Sequence, residues 1–179
     1  MISGTDALLQ WNPVSNESVR GHFRGYKIQI WTEGDEDNLR EVQVKGDATK
    51  ALVNKFTPDA VNYARVLVFN DRYNGPPSNT ITFETPEGYP STVQTFEAFP
   101  LGSSAFLLRW KKPLHPNGKL NGYKLYYEEV TGTALGPKLE REPHIADPHI
   151  QSAKLAGLKP NTKYRLHITA TTKAGEGEE

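Results

Sequence analysis

Apolar and polar residues alternate along this chain in short runs, and no stretch keeps a helical period. In the first run Ala7, Leu9 and Trp11 share one face, and the pattern breaks at Asn12-Pro13. A period of two places successive side chains on opposite faces of a strand, so each run predicts a strand with one buried face. The next runs are Tyr26 to Trp31, Leu39 to Val44, Lys50 to Val53, Tyr63 to Phe69 and Thr80 to Phe83. Between the second and third, Gly34-Asp35-Glu36-Asp37-Asn38 reads as a polar turn. Thr85-Pro86-Glu87-Gly88-Tyr89-Pro90 then interrupts strand pairing and reads as a boundary. Beyond it the order repeats: Thr92 to Phe99, Ala105 to Trp110, Tyr123 to Glu129, Lys138 to Arg141, Ala153 to Leu155 and Tyr164 to Thr171.

The repeat is carried by landmarks about 100 residues apart, roughly one domain's length. Trp11, Gly25-Tyr26, Phe56-Thr57-Pro58 before Tyr63, and Asn70 before Gly75-Pro76-Pro77-Ser78 form the first set. Trp110, Gly122-Tyr123, Leu158-Lys159-Pro160 before Tyr164, and Thr172 before Gly175-Glu176-Gly177 form the second. The reading is all-β, two tandem sandwiches over residues 1–86 and 87–179. Each is expected to lack one edge strand: the first strand in the first module and the last strand in the second.

One landmark is out of step. Leu158 lies six positions before Tyr164, whereas Phe56 lies seven before Tyr63, which leaves Asn62 where the tyrosine is expected. A slip of one residue turns a side chain to the other face. The first module must therefore bulge or give up that tyrosine. With Val66 and Val68 inward, Arg65, Leu67 and Phe69 are expected to face out as an exposed apolar pair beside an arginine.

Of 179 residues 36% are hydrophobic, which suits thin sandwiches better than one large core. The modules carry 9 basic against 11 acidic and 12 basic against 10 acidic side chains, for a net charge of zero. Nothing in that balance argues for nucleic acid. With no cysteine, disulfides, thiolate metal sites and cysteine nucleophiles are excluded. No apolar run is long enough to span a bilayer. That statement describes this stretch of chain only.

The buried Trp and Tyr of successive strands, and the corner ahead of Tyr164, resemble fibronectin type III domains in both modules. The loop wording resembles the third and fourth type III domains of neural cell-adhesion receptors of the immunoglobulin superfamily. It runs through Pro13-Val14-Ser15, Glu17 to Phe23, Asn74 to Ser78, Thr85 to Gly88, Pro100 to Phe106 and Trp110 to Leu114. The resemblance implies the extracellular stalk of a single-pass plasma-membrane protein. Its modules would be non-enzymatic spacers and contact surfaces supporting cell-cell adhesion and axon growth or guidance. It further implies partners among cell-surface proteins in cis or trans, homophilic association of the longer receptor, and no cofactor or direct membrane contact. The alternative is a ligand-binding pair from a receptor phosphatase or a cytokine-type receptor. A cytokine-type pair would carry cysteines and a Trp-Ser-x-Trp-Ser box, and neither is present.

Candidate sites are few. Asn16-Glu17-Ser18 is the one N-glycosylation sequon. Lys45-Gly46-Asp47 resembles a short integrin-read signal presented on a turn, while a glycine there is also what a turn requires. Trp31 and Tyr126 are aromatic residues expected to point outward, as candidate partner contacts. Arg109, Lys111, Lys112 and Lys124 form an expected basic patch around Tyr126, read either as a solvated face or as a surface for heparan sulfate or a protein. His144, Asp147 and His149 have metal-ligating chemistry, but Pro143 and Pro148 mark an ordinary connecting loop. Asp35, Glu36 and Asp37 lack the spaced ligands of a calcium loop.

Overall fold

The computed structural model describes residues 2–179, with Asn16 described in its backbone alone. The chain divides into two units, Met1–Pro86 and Glu87–Glu179. Each is a pair of antiparallel sheets, and the only helix among the described residues is the turn Asn16–Ser18.

In the first unit the strands are β1 (Ala7–Gln10), β2 (Phe23–Thr32), β3 (Asp35–Lys45), β4 (Lys50–Val53), β5 (Val61–Asn70) and β6 (Ile81–Glu84). One sheet is β1-β4 and the other runs β3-β2-β5-β6. Ala7, Ile28, Ile30, Val53, Phe56 and Ala64 meet between them, with Leu9, Trp11 and Val66 packed alongside. Alternation puts these residues on the inner faces, and burying each large aliphatic stabilises by about 1.5–3 kcal/mol. Asp35–Asn38 differ from the polar turn expected of them. They begin β3, and the hairpin turns at Glu33-Gly34, because Gly34 adopts φ +81° and closes a two-residue loop.

In the second unit the strands are β7 (Gln94–Leu101), β8 (Ala105–Lys111), β9 (Gly122–Thr131), β10 (Ala134–Leu135), β11 (Leu139–Glu140), β12 (Ser152–Leu155), β13 (Lys163–Thr172) and β14 (Gly175–Glu176). Its sheets are β12-β8-β7 and β10-β9-β13-β14, with β11 also paired to β9. The core gathers Leu108, Trp110, Tyr123, Leu125, Leu155, Leu158, Ile168 and Ala170. On one side β8 pairs with β7. Among the described residues its counterpart β1 pairs only with β4, apart from a single bridge between Ile2 and Ala7.

The duplicated Gly-Tyr has a packing cause in both units. A methyl group on Gly25 would lie 2.1 Å from the Val44 carbonyl oxygen, and one on Gly122 would lie 1.9 Å from that of Ile145. Only a residue without a side chain admits the neighbouring backbone there. The tyrosine that follows each is buried against the strand's tryptophan, Tyr26 at 5.3 Å from Trp11 and Tyr123 at 5.4 Å from Trp110.

Candidate contact surfaces

The shifted landmark resolves into a substitution of role. In the second unit the Lys159 amide donates to the Tyr164 hydroxyl at 2.8 Å, tying the strand to the loop before it. In the first unit Asn62 stands in that place, fully buried. Its Nδ2 donates to the Thr57 carbonyl at 2.9 Å, and its Oδ1 accepts from the Thr57 amide at 3.1 Å. Thr85 Oγ1 lies 3.2 Å from the same Nδ2 and donates to the Thr57 carbonyl at 2.6 Å. No register shift is needed within β5.

Tyr63, displaced to the outer face, stacks on Trp31 with ring centroids 5.6 Å apart and planes 7° from parallel. The Arg65 guanidinium lies 5.2 Å from the Trp31 ring, and its Nε donates to Gln29 Oε1 at 2.8 Å. Gln29 continues to Glu41 at 3.3 Å, and Lys27 sits 3.7 Å from Glu41 and 5.1 Å from the Phe69 ring. Partial desolvation and the adjacent Glu33 carboxylate push the Tyr63 hydroxyl above its ordinary pKa. Trp31 thus points outward but is half covered. The expected exposed pair is not there: Leu67 is 6% exposed and Phe69 is half-buried. Long polar neighbours lay their aliphatic stems over this face.

Lys45, Gly46 and Asp47 are all exposed where β3 ends. Gly46 has φ +73°, and its amide donates to the Arg24 carbonyl at 3.0 Å. Asn16 begins the short helical turn, and its side chain lies outside the described residues. Sequence reasoning missed a cleft of about 670 Å³ lined by Leu9, Trp11, Ile28, Val66, Pro77 and Ile81. Tyr26 and Arg65 are its only ionisable lining residues among those described, so it offers no acid–base pair.

In the second unit Tyr126 does not sit among the four expected cations. Tyr126 and Lys124 lie on β9, whereas Arg109 and Lys111 lie on β8 in the other sheet, because alternation is set strand by strand. Lys112 contributes its carbonyl to Gln94. The Tyr126 hydroxyl meets both Glu176 carboxylate oxygens at 2.8 Å. Lys124 Nζ is 3.0 Å from Glu176, and Thr169 Oγ1 donates to it at 3.2 Å. Burial, reinforced by the Glu176 carboxylate, pushes the Tyr126 hydroxyl far above its ordinary pKa. Burial alone would raise Glu176, but hydrogen bonds from Tyr126 and Lys124 and the lysine's charge hold it below the usual carboxylate range. Lys138 lies 4.8 Å from the Tyr126 ring and pairs with Glu179. His167 has Glu128 at 2.8 Å on Nε2 and Glu179 at 3.0 Å on Nδ1.

His144, Asp147 and His149 remain strung along the loop between β11 and β12. Buried Ile145 intervenes, and the Asp147 carboxylate accepts from the His149 amide at 2.9 Å. Among the described residues no three histidine, cysteine, aspartate or glutamate side chains group around a common metal position.

Comparison with known proteins places both units. The family described as Fibronectin type III domain matches residues 1–84 and 91–179. Neuroglian of Drosophila melanogaster is 62% identical over 180 residues, covering 100% of the chain. Neural cell adhesion molecule L1 of Homo sapiens is 32% identical over 185 residues, covering 99% of it. The chain spans 14% of the length of each of these relatives. Among solved structures, the FN1–FN3 domains of chicken CNTN1 align with a TM-score of 0.43 at 23% identity, covering 99% of this chain and 60% of that one. A two-domain fibronectin type III segment of chicken tenascin aligns with a TM-score of 0.44 at 15% identity, covering 99% and 90%.

Proposed function

Because the chain belongs to the fibronectin type III domain family, we propose that it supplies two non-enzymatic spacer and contact modules of a neural cell-adhesion receptor. The observation that carries this reading is the 62% identity, sustained over the whole chain, to a relative named neuroglian. L1, named as a neural cell adhesion molecule, supports it at 32% identity over 99% of the chain. This likeness favours the reading over ligand-binding modules of a receptor phosphatase or a cytokine-type receptor.

On this reading the modules lie in the extracellular part of a single-pass plasma-membrane protein. They support cell-cell adhesion and axon growth or guidance, meeting cell-surface proteins in cis or trans, while the longer receptor associates homophilically. Asn16 carries an N-linked glycan. The exposed Lys45-Gly46-Asp47 turn, with Trp31 and Tyr126 on the outer sheet faces, supplies contacts. Ladders of paired side chains suit such a role, since they hold aromatic surface in fixed rotamers and lower the entropic cost of docking.

The test is attachment of neural cells to the two-module chain immobilised on beads, against an unrelated type III pair. Attachment above that control is expected, with the integrin-dependent part lost in Asp47→Ala. Equal attachment to both surfaces would overturn the proposal. An unchanged integrin-dependent component in Asp47→Ala would remove the turn from it.

A further inference from the structure

The outer face of the β7-β8-β12 sheet carries cations that, among the described residues, no carboxylate pairs. Arg109 and Lys111 follow each other at alternate positions of β8, and both are exposed. Alternate residues on a strand stand about 7 Å apart on the same face. Lys154 on β12 lies diagonally across from Arg109, since Ser152 pairs with Arg109 and Lys154 with Leu107. Arg141 donates from Nε to the Lys154 carbonyl at 2.8 Å, which sets a fourth cation against the β12 backbone. Among the described residues none of the four makes an ion pair. Glu97, opposite Arg109 on β7, stays beyond pairing distance. Lys124 of the opposite sheet, by contrast, is paired with Glu176.

The first unit supplies an internal control. Aligned on Trp11 and Trp110, the positions of Arg109, Lys111 and Lys154 are held by Gln10, Asn12 and Leu52, with Lys50 the one cation in that row. The sheet face therefore forms equally well with neutral residues. The cations are a property of the second unit.

We propose that Lys111, Arg109 and Lys154, flanked by Arg141, form a binding surface for a sulfated glycosaminoglycan. The cations stand in a row on the outer face of a sheet, so a compact anion would engage one of them at a time and gain little in water. A linear polyanion laid along the row engages all of them together and releases its condensed counterions, which gives strong, salt-dependent binding. Sulfated glycans are the linear polyanions of the extracellular space, so the inference rests on the extracellular location proposed above.

The test uses the intact two-module chain and a fully sulfated heparin hexasaccharide, with titration calorimetry at several salt concentrations. The variant Arg109→Gln/Lys111→Gln/Lys154→Gln is expected to bind at least ten-fold more weakly. Its log affinity should also depend less steeply on log salt. The matched variant Lys55→Gln/Lys163→Gln/Lys173→Gln, which removes three exposed cations elsewhere, should bind as the unmodified chain does. Equal losses in both variants, or unchanged binding in the first, would overturn the proposal. Equal affinity for a DNA duplex, or for phosphatidylserine vesicles, would overturn the assignment to a glycan. Circular dichroism on each variant separates lost binding from lost fold. Since no cells are involved, the outcome is independent of the attachment experiment.

Discussion

Asn62 grips Thr57 from both sides, accepting its amide at 3.1 Å and donating to its carbonyl at 2.9 Å. Tyr164 performs the matching task in the second unit with a single hydroxyl, 2.8 Å from the Lys159 amide. A side-chain amide has a donor and an acceptor side by side and can close on one residue, whereas a phenol reaches from a distance.

The two corners should differ in cost when cut. Asn62→Ala strips the Thr57 amide of its acceptor and leaves the Thr57 and Ala60 carbonyls to Thr85 alone, and is expected to destabilise the first unit by about 2 kcal/mol. Tyr164→Phe removes one hydrogen bond near solvent, for about 1 kcal/mol in the second. Hydrogen exchange read separately over residues 2–86 and 87–179 checks both magnitudes and the independence of the units.

Gly25→Ala and Gly122→Ala should each weaken their own unit by more than about 2 kcal/mol, because a backbone carbonyl occupies the methyl's place. Gly132→Ala is the comparison. It has φ +63° with open space around it, so only the left-handed backbone resists, at about 1 kcal/mol. Thermal unfolding should rank the three in that order.

Thr95 adopts φ +53° at an exposed position where the β7–β8 register shifts. A β-branched side chain is strained in that conformation, at about 1–3 kcal/mol, while glycine adds unfolded-chain freedom worth about 0.4–1 kcal/mol. Thr95→Gly should therefore stabilise the second unit by about 1 kcal/mol, a gain that urea denaturation would resolve.

Acid should loosen the outer face of the second unit. Glu176 has a lowered pKa in the folded state, so its stabilising effect is present above the ordinary glutamate value of about 4.3. It is lost as pH falls through the lowered folded value. Glu176→Gln should reduce stability at pH 7 and flatten the acid limb of a stability–pH profile. At alkaline pH the raised Tyr126 works the other way: its contribution is complete below about pH 10 and fades as pH rises through the folded value.

Much of the fold was legible in the sequence because alternation is local. A run such as Tyr26 to Trp31 declares its buried face by itself, and Tyr26, Ile28 and Ile30 are buried as alternation requires. The offset of Tyr63 was equally visible by counting, and so was Asn62 in its place. What Asn62 does there was not, because Thr57 and Thr85 reach it only once the chain has turned back. The surfaces were harder still. Trp31 and Tyr126 were identified as outward, but their covering by Tyr63, Arg65 and Lys138 comes from other strands and connections.

By itself, then, the sequence determined two all-β modules, their strands and the loop wording that points to adhesion receptors, since each rests on residues close together in the chain. The tertiary structure alone decided that an asparagine closes one corner and that Trp31 is held in a stack. It also divided the apparent basic patch, leaving Lys124 paired with Glu176 on one sheet and Arg109 beside Lys154 on the other. Those outcomes depend on which strands pair and in what register, and pairing joins residues tens of positions apart.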